Sequence, residues 1–88
     1  MKLLATPRFL KSIPAARRAE ILTAMKAAKI AYGKPHLHAG VGLRRIPPFM
    51  ECCCGLDLSL IFQREGKNLV FHLCGTHEEV ESFLKNQR

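Results

Sequence analysis

The sequence predicts an α+β fold: an N-terminal strand and one or two helices packed on a twisted antiparallel sheet, with a short C-terminal helix. Three observations predict it. Apolar residues recur at helical spacing between Pro14 and Gly33, whereas from Gly40 onward they fall in short runs broken by turn residues. The last segment then opens on Thr76-His77-Glu78-Glu79, the pattern of a helix capping box.

The elements follow in order. Lys2 to Ala5 reads as a short strand, and Pro7 to Ser12 as a helical turn or short helix turning Phe9 and Leu10 inward. Pro14 suits the first turn of a longer helix, because its missing N–H would be unpaired there in any case. Ile21, Met25, Ala28 and Tyr32 line one face of that helix, and Arg17, Arg18, Lys26 and Lys29 fall mainly outside the stripe. Gly33 and Pro35 stop it, the first by accepting a left-handed backbone and the second by blocking resumption. Strands are expected at Leu43 to Ile46, Phe49 to Cys54, Leu58 to Arg64 and Asn68 to Cys74, joined by Pro47-Pro48, a turn at Gly55 and the Glu65-Gly66-Lys67 loop. Period-two alternation puts Leu58, Leu60 and Phe62 against the helices and Asp57, Ser59 and Ile61 on the opposite face. A final helix starts at His77, with Val80, Phe83 and Leu84 as its apolar stripe.

With 88 residues the chain has room for one core, so residues 1–88 are expected to form a single domain. A domain of this size buries a modest fraction of its surface and often leans on a partner. Its formal net charge of +7 is unevenly spread: residues 1–48 hold ten Lys or Arg against one acid, Glu20, and residues 49–88 hold four against six. Such asymmetry favours a polyanionic partner, whether RNA, DNA or an acidic protein segment. A plain RNA-binding module that works by base stacking is disfavoured by one Tyr, no Trp and no aromatic run. The longest early apolar run, Leu3 to Ala5, is too short for a secretory core of about 7–15 residues. No segment is long enough to span a bilayer. A reduced, cytoplasmic setting is expected, with Cys52, Cys53, Cys54 and Cys74 as small core residues. They lack the paired spacing of a zinc site, and adjacent residues on a strand point to opposite faces.

Several residues could carry chemistry. His77 stands in the first turn of a helix, where the positive dipole end favours neutral imidazole and exposed amides can receive a phosphate oxygen, while Glu78 and Glu79 act in the opposite sense. His36 and His38 sit in a Pro/Gly-flanked connector just before Arg44 and Arg45. His72 lies inside an apolar strand, where a structural role is expected. Asp57 is a proton acceptor or a group that orients a histidine, or else a turn former after Gly55. Arg44 and Arg45 point to opposite faces of their strand, so at most one faces a given phosphate.

The order of elements, together with Gly42-Leu43-Arg44-Arg45-Ile46, Met50-Glu51-Cys52, Gly55-Leu56-Asp57-Leu58-Ser59-Leu60-Ile61-Phe62 and Gly75-Thr76-His77-Glu78-Glu79-Val80, resembles the RelE/ParE superfamily of toxins from type II toxin–antitoxin modules. Glu65-Gly66, Leu69-Val70-Phe71 and an early Phe9-Leu10-Lys11 extend the likeness over nearly the whole chain. The resemblance implies helices on one side of the sheet and a concave face opposite, a cognate antitoxin, and for RelE-like members cleavage of mRNA on the ribosome without a metal or other cofactor. Among YafQ-like members, which use histidines and an aspartate, the matching positions here are His36, Asp57 and His77 as the catalytic set. Lys34, His38, Arg44, Arg45 and Ser59 are then the residues available to hold the RNA. Ser59 and Cys53 stand where relatives often carry Arg, which depletes the cationic part of the site. The alternatives implied are a ParE-like inhibitor of gyrase and a module that only binds its antitoxin.

Overall fold

The computed structural model describes residues 2–33 and 43–86. In chain order it contains β1 (Lys2–Ala5), α1 (Pro7–Ser12), a 3₁₀ turn (Ala15–Arg17), α2 (Arg18–Gly33), β2 (Arg44–Ile46), β3 (Phe49–Cys54), β4 (Leu58–Glu65), β5 (Asn68–Gly75) and α3 (His77–Lys85). Thr6 opens α1 by accepting a hydrogen bond from the Phe9 amide, with Pro7 in its first turn. Pro14 is extended (φ −64°, ψ 129°) and only caps the 3₁₀ turn, so the long helix begins at Arg18 rather than at Pro14 as its sequence suggests. The Thr76 hydroxyl and Glu79 carboxylate form the expected capping box at the start of α3.

The strands form one five-stranded sheet in the order β1-β5-β4-β3-β2. β2 to β5 make the expected antiparallel meander, but β1 joins β5 in parallel, pairing Lys2 with Asn68 and Ala5 with Phe71, so the sheet is mixed. A meander pattern reports only strands that follow one another, and the partner of β1 lies at the other end of the chain.

Each face of the sheet carries a core. On one face Phe9, Ile21, Met25 and Ala28 of α1 and α2 meet Cys52, Cys54, Leu58, Leu60, Phe62, Leu69, Phe71 and Cys74. Phe71 is central there, its ring 5.0 Å from that of Phe62 and 5.5 Å from that of Phe9. On the other face Val80 and Phe83 of α3 pack on Phe49 and Ile61, with Leu73 and Leu84 beside them. This corrects the expectation that all helices share one side. An amphipathic α3 needs an apolar surface, and Phe49, Ile61 and Leu73 supply it.

Two core residues three apart on β5, Phe71 and Cys74, face the same helices, which a regular strand forbids. A register shift opposite Ile61 and Phe62 permits it: Ile61 pairs with Leu73 and Phe62 with Phe71, leaving His72 as the extra residue of a bulge. α1 straddles the bulge. The Thr6 amide donates to the Phe71 carbonyl (3.0 Å) and the Thr6 hydroxyl to the His72 carbonyl (3.3 Å), while the Ser12 hydroxyl accepts from the Cys74 amide (3.1 Å). Backbone groups that the ladder leaves behind are thus paired with α1.

Truncating a fully buried aromatic residue removes its packing and leaves a cavity. Phe71→Ala is therefore expected to lower the unfolding free energy by about 3–5 kcal/mol in a urea titration. Leu56→Ala, in a fully exposed turn side chain, should change it by less than about 0.5 kcal/mol.

Candidate functional site

At one end of the sheet Cys53, Ser59 and Gly75 form a row across β3, β4 and β5. His77 follows two residues beyond Gly75, in the first turn of α3. Gly75 lets the helix start close: a side chain there would press within 3.0 Å of the Glu79 side chain. The His77 side chain is two-thirds exposed, and its Nε2 lies 3.1 Å from a carboxylate oxygen of Glu81, one helical turn on. This partner was not singled out in the sequence, although the i, i+4 spacing was a visible signal. Glu79 is committed to the cap instead: hydrogen bonds from the Thr76 amide and hydroxyl hold its carboxyl below the usual range. A partner carboxylate on one nitrogen and an open face on the other suit an imidazole to proton transfer.

Ser59 shares a sheet face with His77's end of β5 but is nearly buried, not exposed as the strand pattern suggests, because α3 covers that face. Asp57 does not share the face at all. It belongs to the turn before β4 and points toward the 3₁₀ turn that precedes α2, where Arg17 Nη1 donates to both carboxylate oxygens at 2.6 Å. Arg17 also donates through Nε and Nη2 to Glu20 and through Nη2 to the Cys54 carbonyl. Gly55 makes room: its φ of +69° suits the turn, and a Cβ there would lie 2.6 Å from Arg17 Nη2. The hydrogen bonds from Arg17 lower the Asp57 pKa, and those to Asp57 and Glu20 raise that of Arg17. The carboxylate is held ionised, and Arg17, which reaches the Cys54 carbonyl at this end of the sheet, is already matched by two acids. The i, i+3 spacing of Arg17 and Glu20 was legible; their junction with Asp57, forty residues on, was not.

Arg44 and Arg45 face opposite ways, as expected. Arg44 pairs in register with Glu51 and lies 3.5 Å from its carboxylate, which is buried to 8% exposure of the side chain. Arg45 turns to the α2 side, where it lines a pocket of about 360 Å³ with Tyr32, Pro47, Pro48, Met50 and Arg64. Lys34, His36 and His38 lie outside the described residues. His72, the bulge residue, sets its ring against Phe49 with centroids 5.5 Å apart. Its Nε2 has no hydrogen-bond partner among the described residues, with the Glu65 carboxylate at 3.8 Å.

Alternation along β3 splits the cysteines. Cys52 and Cys54 face the helices with Cys74, and Cys53 is exposed on the opposite face across from Ser59. Burial pushes the Cys52 thiol up to about 12 and the Cys74 thiol to about 11, and raises that of Cys54 as well. Among the described residues no three His, Cys, Asp or Glu side chains are placed to share a metal ion, and no helix is long and apolar enough to cross a membrane.

No protein-family model matches the sequence, and no curated protein matches it. Solved structures do match. YafQ from E. coli superimposes with a TM-score of 0.64 at 17% identity, covering 90% of this chain and 96% of that one. A copper-bound mutant toxin from Helicobacter pylori gives 0.65 at 20% identity, covering 91% and 98%. The E. coli DinJ-YafQ complex gives 0.62 at 19% identity, covering 90% and 96%. At these identities the likeness shows the fold alone, the one shared by YafQ and the Helicobacter pylori toxin.

Thiolates, not thiols, react with disulfide reagents, and access decides the rest. In the folded chain one thiol is expected to react promptly with Ellman's reagent, and Cys53→Ser should remove it. The three others should react only on unfolding, and prompt labelling of Cys52 or Cys74 in the native chain would contradict the packing described above.

Proposed function

We propose that this chain is the toxin of a type II toxin–antitoxin pair and a cytoplasmic, metal-independent endoribonuclease that cleaves mRNA, on or off the ribosome, and so inhibits translation. One observation carries the reading: the chain shares its fold almost end to end with YafQ, which is solved in a toxin–antitoxin complex with DinJ, and sets an exposed histidine at the sheet end where α3 begins.

The chemistry needs a base for the ribose 2′-hydroxyl, an acid for the leaving 5′-oxygen, and donors for the phosphate between them. The 2′-oxygen attacks the adjacent phosphorus as its proton passes to the base. The P–O5′ bond breaks as the acid protonates the departing oxygen, leaving a 2′,3′-cyclic phosphate and a 5′-hydroxyl. His77 and His36 serve as the acid–base pair. Glu81, its carboxylate 3.1 Å from Nε2, orients the His77 ring for proton transfer. Asp57 acts at one remove, as a positioning residue that fixes Arg17 beside the turn. Lys34, His38, Arg44, Arg45 and Ser59 are the residues offered for holding the RNA; of these Arg44, well exposed on the face that carries Ser59, keeps N–H donors free of Glu51 for a phosphate, while Arg45 faces the α2 side.

A second reading has its own support. With Arg17 matched by Asp57 and Glu20, and with uncharged Cys53 and Ser59 in the row beside His77, this end of the sheet is, among the described residues, poor in free cations. That favours a non-nucleolytic protein, either a ParE-like gyrase inhibitor or a module that only binds its antitoxin.

The purified chain, incubated with mRNA in the presence and absence of translating ribosomes, is expected to cleave it. His77→Ala should slow cleavage by about 100-fold or more with the fold intact by circular dichroism. Equal cleavage by the variant would remove His77 from the mechanism. Absence of cleavage by the natural chain, with inhibition of gyrase supercoiling, would establish the second reading instead.

A further inference from the structure

Arg45 faces away from the sheet end that carries His77, and it does not stand alone there. It pairs with Met50 across the β2–β3 ladder, and Met50 pairs with Phe62. Arg64 lies two residues beyond Phe62 on β4, so alternation sets Arg45, Met50, Phe62 and Arg64 on the α2 side of the sheet. Both arginines line one pocket of about 360 Å³ together with Tyr32 from the last turn of α2 and with Pro47, Pro48 and Met50. The pocket is remote from the His77 site, because Arg64 occupies the opposite end of β4 from Ser59 and the opposite face.

Its charge is unbalanced. Among the described residues neither Arg45 nor Arg64 forms an ion pair, and no acid lines the pocket. The acids nearest along the strands are turned elsewhere, Glu51 to Arg44 and Glu65 toward His72. Residues 34–42 contain no Asp or Glu. Arg64 Nε donates to the Gly66 carbonyl at 2.9 Å, which fixes the guanidinium and leaves its terminal nitrogens for a ligand. β2 and β4 are two strand spacings apart, about 10 Å, a gap that two arginine side chains can close around one phosphate.

We propose that this pocket binds a nucleoside phosphate, its phosphate held between Arg45 and Arg64 and its base laid against the Tyr32 ring and the two prolines. Two planar guanidiniums match phosphate oxygens with paired N–H donors. The rest of the lining argues for more than inorganic phosphate: Tyr32, Pro47, Pro48 and Met50 offer apolar surface to a base, and a phenol ring stacks on any base. The volume also lies within the range of small-molecule sites, roughly 300–1,000 Å³. An acidic peptide suits the pocket less well, since its carboxylates would take the arginines and leave Tyr32 without a planar partner. The phosphate ester comes from a free mononucleotide or from an RNA strand; the chemistry recognised is the same. This ligand class does not depend on whether His77 cleaves RNA.

Tyr32 is the one tyrosine of the chain and there is no tryptophan, so intrinsic fluorescence reports on this pocket directly. Titrating the full chain with AMP is expected to quench that signal beyond the loss seen for free tyrosine at the same concentrations, with a matching affinity by calorimetry. Adenosine and inorganic phosphate should each bind at least about tenfold more weakly than AMP, and Arg45→Ala and Arg64→Ala should each weaken AMP binding at least about tenfold. Both side chains are exposed, so the variants should keep the thermal midpoint of the natural chain. Arg64→Lys, which keeps the charge and loses the planar fork, should fall between the natural chain and Arg64→Ala. Displacement of AMP by a lower concentration of a 2′-O-methyl oligoribonucleotide would identify an RNA strand as the source, and weaker displacement a free nucleotide. The proposal is overturned if AMP quenches no more than in the free-tyrosine control, if adenosine or phosphate binds as well as AMP, or if the alanine variants bind normally. Displacement of AMP by a lower concentration of a glutamate-rich peptide would overturn it in favour of an acidic protein segment. Loss of AMP binding in His77→Ala would place the nucleotide at the start of α3 and overturn it as well.

Discussion

The hydrogen bonds that Thr6 and Ser12 make to β5 hold the irregular stretch of the sheet in place, and both cores depend on it. The Thr6 amide and hydroxyl take the Phe71 and His72 carbonyls, and Ser12 takes the Cys74 amide, so α1 spans the bulge like a splint. Because of the bulge, Phe71 and Cys74 both reach the α1–α2 core while Leu73 reaches the α3 core. A regular β5 would turn one of them to the wrong side. The bulge also sets the position from which β5 delivers Gly75 beside Ser59 and His77 to the start of α3.

That arrangement divides the molecule by charge and by surface type. The α1–α2 side is basic and carries exposed leucines, whereas α3 brings Glu78, Glu79 and Glu81 to the opposite face. At the sheet end where His77 stands, Arg17 is matched by both Asp57 and Glu20, and His77 lies 3.1 Å from Glu81. Salt bridges so exposed contribute little to stability. Their effect is to fix geometry and to decide which groups remain available for a phosphate.

Local patterns were legible and junctions between distant segments were not. The capping box at Thr76, the Ile21, Met25 and Ala28 stripe, and the alternation of Leu58, Leu60 and Phe62 each report one element's own periodicity, and each appears where its pattern puts it. The parallel pairing of β1, the bulge at His72 and the seat of α3 depend on contacts across many residues of chain, for which no period exists. Asp57 shows the same limit at the site. Strand alternation carried one residue too far put it beside Ser59, while the turn at Gly55 rotates it toward Arg17.

The central claim is that the chain meets RNA at the start of α3. Amide chemical shifts recorded while a short single-stranded RNA is added test it most directly, with 2′-O-methyl groups blocking cleavage by removing the nucleophile. The account predicts perturbations at Gly75, Thr76 and His77 and at Ser59 and Cys53 in the adjoining row, with Leu10 and Leu22 unmoved. Shifts confined to α1 and α2, or none at saturating RNA, would contradict it.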